Sequence, residues 1–417
     1  MFTRLAFLFL LMIVIDLINH FGLRVMLRRL RHSHIYRINF IIYWGITVAI
    51  VVSLPVTLLI TGYPGTDYVK YRTYFLLFGI FMVFYMPRII FALFVIVQSL
   101  WYLLKKLFSR KKEYIVKRHK RKNYYIQKTG IVLAFLSSVL VIYGMTAGKS
   151  DFKVRKVYVE IPGLPAAFDG FRIAQFSDAH LGSFTNRDDV KKGLELLQDQ
   201  SPDIIVFTGD MVNNIADEME PYMTELKKLK APYGKYSILG NHDMSDYVKW
   251  KNFTIKREYI DKLIAYQEEC GFRMLLNSNV IIKREGDSIA LAGVENWGLP
   301  PFKQYGNLNK ALRGIESINT KILLSHDPTH WTGEVLSKTG ICLTLSGHTH
   351  GGQIGLNFAG IKWSPVQYVY KNWMGLYKQG NQYLYVNPGF GYLGFPGRIG
   401  INPELTIIIL RQKPQYR

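Results

Sequence analysis

Apolar and polar residues divide the chain into two parts with different periodicities. Through the first 150 residues the apolar positions form long runs, approximately 5–23, 39–62, 74–104 and 129–147. A helix needs about 20 apolar residues to cross a bilayer, so each run predicts a membrane-spanning helix. The third is overlong for an upright span, yet either half around Pro87-Arg88 is too short to cross alone. It reads as one tilted or kinked helix reaching into the interface rather than as a hairpin. A cleaved leader would account for the first run but not for the next three.

From Asp151 onward the apolar runs shorten. Strand-length, β-rich segments fall at 172–176, 203–207, 236–239, 289–294, 321–324, 341–345, 383–386 and 405–410. Amphipathic stretches of helical length separate them, at 187–200, 216–230, 247–270 and 308–316. That alternation predicts an α/β domain without internal repeats, large enough for one sizeable core. The expected organisation is an all-helical four-span transmembrane region over residues 1–150 and a catalytic domain over 151–417.

Charge sharpens the division. The chain carries 52 Lys+Arg against 30 Asp+Glu, a formal net of +22. Residues 1–150 hold 21 of those bases and only Asp16, Asp67 and Glu113 of the acids, so the excess belongs to the membrane part. Bases lying between apolar runs indicate membrane topology and a lipid bilayer as partner, so no nucleic-acid partner is expected. Arg24, Arg28, Arg29, Arg31 and Arg37 follow the first run, and a denser set from Lys105 to Lys128 follows the third. The intervening loop has only Lys70 and Arg72, with Asp67. Basic loops stay cytoplasmic, which places both termini and the C-terminal domain outside the cytoplasm, although Lys149, Lys153, Arg155 and Lys156 follow the last run. Asp16 lies inside the first span. The simpler reading sets it near the interface with Asn19 and His20; the alternative pairs it with a residue such as Arg88. Cys270 and Cys342 have no metal-binding spacing and read as buried free thiols.

Candidate chemistry gathers where the C-terminal strands end. Five apolar segments run into Ser177-Asp178-Ala179-His180, Thr208-Gly209-Asp210, Gly240-Asn241-His242-Asp243, His326-Asp327-Pro328 and Gly347-His348-Thr349-His350. In α/β sheets the C-terminal strand ends are where loops converge into sites. Carboxylates, an amide oxygen and imidazoles suit Mn, Fe, Zn or similar divalent ions, and the lack of cysteine argues against a thiolate site. Asp178, His180, Asp210, Asn241, His326, His348 and His350 are too many for one tetrahedral ion. They fit two adjacent ions with a bridging carboxylate, the arrangement that activates water against phosphorus. Glycines before Asp210, Asn241 and His348 permit tight turns beside the ligands.

This ordered set resembles the calcineurin-like metallophosphoesterase superfamily over approximately residues 171–410. The resemblance implies a four-layer α/β/β/α sandwich holding two divalent metal ions. Asp178, His180, Asp210 and His350 would hold one ion, and Asp210 would bridge to a second held by Asn241, His326 and His348. A hydroxide between the ions would attack phosphorus in line, with His242 as general acid oriented by Asp243. Many relatives have an acidic residue where Asn213 or Asn214 stands here. The spans and the lead-in from Tyr158 to Arg172 resemble a membrane-associated bacterial branch, also similar to an animal transmembrane protein with this domain, and imply an inner-membrane location. Some members of the branch hydrolyse UDP-2,3-diacylglucosamine in the cytoplasm, a setting at odds with the loop charges. The expected substrate is therefore a phosphorylated, membrane-proximal and lipid-linked small molecule. Soluble nucleotides at the cell surface are the alternative, and a non-enzymatic scaffold would predict a damaged ligand set.

Other polar residues have plainer readings. Asp188, Asp189, Asp217, Glu218 and Asp246 lie near expected helix starts, where capping explains them. Asp327 and His330 are either supports for His326 or ordinary loop residues, and Arg398 either faces substrate phosphate or lies on the surface. The aromatic stretch 296–302 reads as a packed loop, the alternative being a lip against an acyl chain or the bilayer. The aromatic residues of 357–395 read mostly as core.

Overall fold

The computed structural model describes residues 2–27, 33–62, 65–108 and 112–413, which form two compact units. One comprises Met1–Tyr63 and Leu76–Tyr143, the other Pro64–Phe75 and Gly144–Arg417. The first contains most of four helices, α1 (Phe2–Met26), α2 (His34–Thr61), α3 (Tyr68–Phe108) and α4 (Lys112–Thr146). Each has a stretch long and apolar enough to cross a membrane. The 41-residue α3 continues through Pro87, so the overlong third run is a single helix. At about 1.5 Å per residue it outruns the hydrocarbon layer. Because α4 starts at Lys112, most of the second basic stretch is helix rather than loop. Arg28, Arg29, Arg31, Arg110 and Lys111 lie outside the described residues.

Asp16 does not take the interfacial position preferred from sequence. It is buried and faces Arg88, with Nη1 and Oδ1 3.2 Å apart. The Tyr43 and Tyr85 hydroxyls donate to the same carboxylate at 2.5 and 2.9 Å, and both rings lie under the guanidinium. An ionised carboxylate among apolar helices is costly unless paired and hydrogen-bonded, and this one is both.

The second unit is built on two six-stranded sheets. The first has the order β1 (Lys153–Ile161), β14 (Glu404–Gln412), β2 (Arg172–Phe176), β3 (Ile204–Phe207), β4 (Lys235–Ser237), β5 (Phe272–Met274). The second runs β12 (Gly375–Gln379), β13 (Gln382–Val386), β9 (Ile341–Ser346), β8 (Lys321–Leu324), β7 (Asp287–Gly293), β6 (Ser278–Arg284). Ile173, Val206 and Ile408 of one sheet pack against Leu291, Leu324 and Leu345 of the other. The outer face of the first sheet meets α5 (Arg187–Gln198), α6 (Met223–Lys227) and α7 (Phe253–Glu269) through Leu194, Leu226 and Leu263. The outer face of the second meets α8 (Leu308–Leu312) and the turn Trp331–Val335. Helix, sheet, sheet and helix thus stack in four layers. The central strands are covered on both faces, so they read as unbroken apolar runs.

Several boundaries differ from expectation. The strand β1 is absent from the sequence reading because Lys153, Arg155 and Lys156 break its apolar pattern, as an edge strand allows. The helix expected over 216–230 is a 3-10 turn, Ala216–Tyr222, followed by the short α6; Pro221 inside it removes a backbone donor. The helix α7 starts only at Phe253, where the Asn252 side chain caps it.

Candidate metal centre

Strands β2, β3 and β4 run parallel, as do β7, β8, β9 and β13, so their C-terminal ends deliver the motif loops to one place. All seven residues expected as ligands arrive there. His180 Nε2 lies 3.0 Å from His350 Nε2, and His350 Nε2 lies 3.4 Å from Asp178 Oδ1. On the other side His326 Nε2 is 3.1 Å from Asn241 Oδ1, which is 2.8 Å from His348 Nδ1. Asp210 Oδ2 joins the two groups, 3.6 Å from His180 Nε2 and 3.1 Å from His326 Nε2. Ligand atoms of Asp178, His180 and His350 converge within 4.8 Å of one another, as do those of Asp210, His326 and His348. Hard oxygen and imidazole donors converging in this way fit a divalent cation.

Comparison with known proteins agrees with this geometry. Residues 171–352 match the family described as Calcineurin-like phosphoesterase, and residues 3–149 match "Probable Calcineurin-like phosphoesterase, transmembrane domain". The metallophosphoesterase YkuE of Bacillus subtilis is 35% identical over 254 residues, 60% of this chain and 82% of that protein. The chain is a calcineurin-like metallophosphoesterase. It is also similar to the transmembrane protein with metallophosphoesterase domain of Danio rerio (29% identity, 68% of this chain) and of Bos taurus (30%, 67%). Those alignments span 62% of either animal protein. The chain is thus a multi-pass, membrane-associated, metal-dependent phosphoesterase.

Hydrogen bonds behind the candidate ligands of this metallophosphoesterase fix their orientation. His180 Nδ1 meets Asn213 Oδ1 at 3.1 Å, His326 Nδ1 meets the Thr208 carbonyl at 2.8 Å, and His348 Nε2 meets the Tyr370 hydroxyl at 2.8 Å. Each contact sets which ring nitrogen faces the cluster. Asn213 supplies an acceptor without a charge. The glycines act by closeness as well as by turn: a Cβ on Gly240 would overlap the Asp210 carboxylate, and one on Gly347 would overlap Ser177 Oγ and the Asp178 carboxylate.

Asp243 does not orient the His242 ring. Its carboxylate accepts from the backbone N–H groups of Asp210, Met211, Val212 and Gly240, and so ties together the loops carrying Asp210 and Asn241. The ring is held instead by the Asn213 carbonyl, 2.7 Å from His242 Nδ1, and by a tilted contact with the Tyr247 ring. A carboxylate whose oxygens are committed to four N–H donors has no direction left for the imidazole. Tyr247 also receives a hydrogen bond from Asn241 Nδ2, at 2.8 Å. Tyr247 and Tyr370 carried no motif, and only their place beside ligands reveals them.

Several plainer readings change too. Arg398 is neither on the surface nor facing the cluster: it is fully buried and donates to the carbonyls of Pro388, Gly391 and His350. Glu218 accepts from the N–H groups of Asn213, Asn214 and Ile215, fastening the Asn213 loop rather than only capping a helix. Asp246 binds Lys256, Lys303 and Tyr305 and caps nothing. Asp327 Oδ2 lies 3.6 Å from His348 Nε2, whereas His330 is turned toward Ser325 and Glu334 and stacks on buried Trp297. Phe302 sets its ring edge-on against His348.

Electrostatics favour neutral imidazoles at most positions. Burial drives His180 down to about 3, with His242 adding to it, and drives His348 down to about 4. Burial and neighbouring His180 hold His350 well below its ordinary value. A ligating histidine must be neutral, so protons compete little with a metal at these three residues. Asp210 and His326 behave as a pair. Burial opposes both charges, yet their mutual attraction outweighs it, lowering the carboxyl and raising the imidazole. A positive charge is therefore favoured beside Asp210 Oδ2.

Proposed function

We propose that this metallophosphoesterase hydrolyses phosphoester or pyrophosphate bonds in a lipid-linked substrate, with two divalent ions at the centre. One observation carries the reading: a single oxygen, Asp210 Oδ2, belongs to both ligand groups, in a chain with four membrane-spanning helices. Asp178, His180, Asp210 and His350 would hold one ion, and Asp210, Asn241, His326 and His348 the other. Two such ions supply Lewis acidity toward the phosphoryl oxygens and lower the pKa of water. The protein groups do the rest. Asn241 and His348, backed by Tyr247 and Tyr370, fix one wall of the centre. His242 is pinned at Nδ1 by the Asn213 carbonyl, which leaves Nε2 to deliver a proton to the departing oxygen. Water oxygen joins phosphorus, the P–O bond opposite breaks, and the proton from His242 neutralises the leaving group. Asp243 acts as a positioning residue, holding the Asp210 and Asn241 loops in register.

Purified full-length protein loaded with Mn and assayed on an aryl phosphodiester, phosphatidic acid and a polyprenyl pyrophosphate tests this. Hydrolysis that Asp210→Asn abolishes is the expected result; inertness toward all three substrates would overturn it. Activity confined to soluble esters would favour the nucleotidase-like alternative. Cellular function retained by both Asp210→Asn and His242→Ala would favour a scaffold. The bases flanking the spans support a catalytic unit outside the cytoplasm, and hence a substrate other than cytoplasmic UDP-2,3-diacylglucosamine.

A further inference from the structure

One segment of the catalytic unit stands apart from both sheets. Strands β10 (Leu356–Phe358) and β11 (Ile361–Trp363) pair only with each other. Ala359 and Gly360 join them with φ of 50° and 83°, a two-residue hairpin turn. An isolated hairpin has little stability in water and needs a surface to pack on. This one turns its apolar side chains outward: Phe358 is 82% exposed, Ile361 64%, Tyr368 78% and Val369 77%. With Leu356 and Trp363 they make six of the twelve large apolar side chains exposed beyond residue 150 among the described residues. The stretch 296–302, by contrast, buries Asn296 and Trp297, and of its large apolar side chains only Leu299 is exposed.

Three observations identify what covers this surface. The hairpin root is fastened close to the end of the fourth membrane-spanning helix. Gly355 N donates to Ile399 O at 2.9 Å, and Arg398 N donates to Gly144 O, near the end of α4, at 3.1 Å. A Cβ on Gly144 would overlap Ile399, so the approach is close. The apolar segment of that helix runs Tyr125–Ser150, so the root of the hairpin is tied to a residue of that segment. Charge points the same way. Between Glu334 and Glu404 there is no acidic residue, and exposed Lys371 closes the apolar stretch; Lys362 lies on the opposite face of the hairpin, its Nζ against Gly375. Outward apolar groups beside a lysine suit an interface with anionic lipid. The segment also reaches the metal centre, because Tyr370, next to exposed Val369, holds His348 Nε2.

We propose that residues 356–369 insert into the interfacial layer of the bilayer and form the entry for substrate. An anionic, phosphate-bearing lipid would leave the membrane along Phe358, Ile361 and Val369, its headgroup passing Tyr370 to the ligand cluster. The entry role rests on the lipid-linked reading above; insertion does not.

The test uses full-length protein in nanodiscs of phosphatidylcholine and phosphatidylglycerol. An environment-sensitive dye is attached at Phe358→Cys, with Cys270 and Cys342 replaced by serine, and compared with dye at Glu285→Cys in the β6–β7 turn. Blue-shifted emission quenched by acyl-brominated lipid at 358 but not at 285 is expected; identical, unquenched behaviour at both would overturn insertion. In parallel, Phe358→Asp/Ile361→Asp is assayed on phosphatidic acid in the discs and on a soluble aryl phosphodiester. The variant should lose about tenfold or more in kcat/KM on the lipid, through KM, and stay within about twofold on the soluble ester. Equal losses on both would make the hairpin a prop for His348 and overturn the entry role. A wild-type enzyme that cleaves the soluble ester but not the lipid refutes the lipid-linked reading, and the entry role with it, while the dye still decides insertion.

Discussion

Asp178, His180, Asp210, His348 and His350, five of the seven expected ligands, have φ between 43° and 72°. Residues other than glycine hold that region only where surrounding bonds over-determine it, at about 1 kcal/mol or more each. Here the bonds are His348 N to the Asp178 carboxylate, His180 N to Asp210 O, and Asp243 beneath Asp210. Gly347→Ala should upset this network by driving a methyl group into Ser177 and Asp178. Bound metal counted by mass spectrometry should fall, with activity down by about a hundredfold or more. Asn213→Ala releases the back of His180 and the Ser183 hydroxyl, so it should weaken Mn binding by about 10–100-fold in a titration while leaving the fold intact. Glu218, which fastens the same loop, gives a pH signature. Burial pushes its carboxyl up to about 7 against the pull of three backbone N–H groups, from an ordinary value of 4.5. Between those values the folded state keeps a proton that the unfolded chain has released, so this contribution falls as pH rises. It is fully present below the lower value and lost above the upper, by up to about 3 kcal/mol. Across that interval wild type should lose more thermal stability than Glu218→Gln does. At this scale the convergence of the candidate ligands was legible, since glycine, carboxylate and histidine recur at strand ends. Their left-handed backbone, the Asn213 contact and the inward turn of Arg398 were not, because each depends on residues distant in sequence.

Elements whose burial is uniform were the most legible. Runs such as 172–176 and 321–324 are apolar throughout because both faces are covered, and they match β2 and β8. The edge strands β1 and β6 mix charges into their pattern and were missed. The aromatic residues of 357–395 read mostly as core, and Phe358 and Trp363 of the hairpin depart from that: their composition matches the truly buried Tyr383, Tyr385 and Phe390, and only exposure separates them. The membrane helices pose the opposite problem, since a lone carboxylate in an apolar run does not name its partner. Removing one member of the Asp16–Arg88 pair should be worse than removing both, because a single change strands a buried charge. Arg88→Met is expected to destabilise the detergent-solubilised protein by about 3–5 kcal/mol, and Asp16→Asn/Arg88→Met to recover much of that. Thermal aggregation of the single and double variants measures the difference.

The membrane region precedes the enzyme along the chain, yet a short piece of it, Pro64–Phe75, belongs to the catalytic body. Arg72, in the first turns of α3, donates from Nε to Gly182 O at 2.8 Å and so belongs to the catalytic body. Two residues that meet must lie on one side of a bilayer, so an even number of crossings separates them, and α3 with α4 supply two. The loop charges then predict which side: a compartment-sensitive reporter fused after Arg417 should be active only outside the cytoplasm. The Arg72 contact also bears on how the protein is made. Arg72 leaves the ribosome well before His350, and the chain between them must thread the membrane twice. The Arg72–Gly182 contact therefore forms only after the last helix is inserted, so a failure of insertion is expected to cost the catalytic body this contact as well as its location. A fragment starting at Gly144 would lack a piece of its own wall, and a separate peptide covering Pro64–Phe75 is the piece that would complete it.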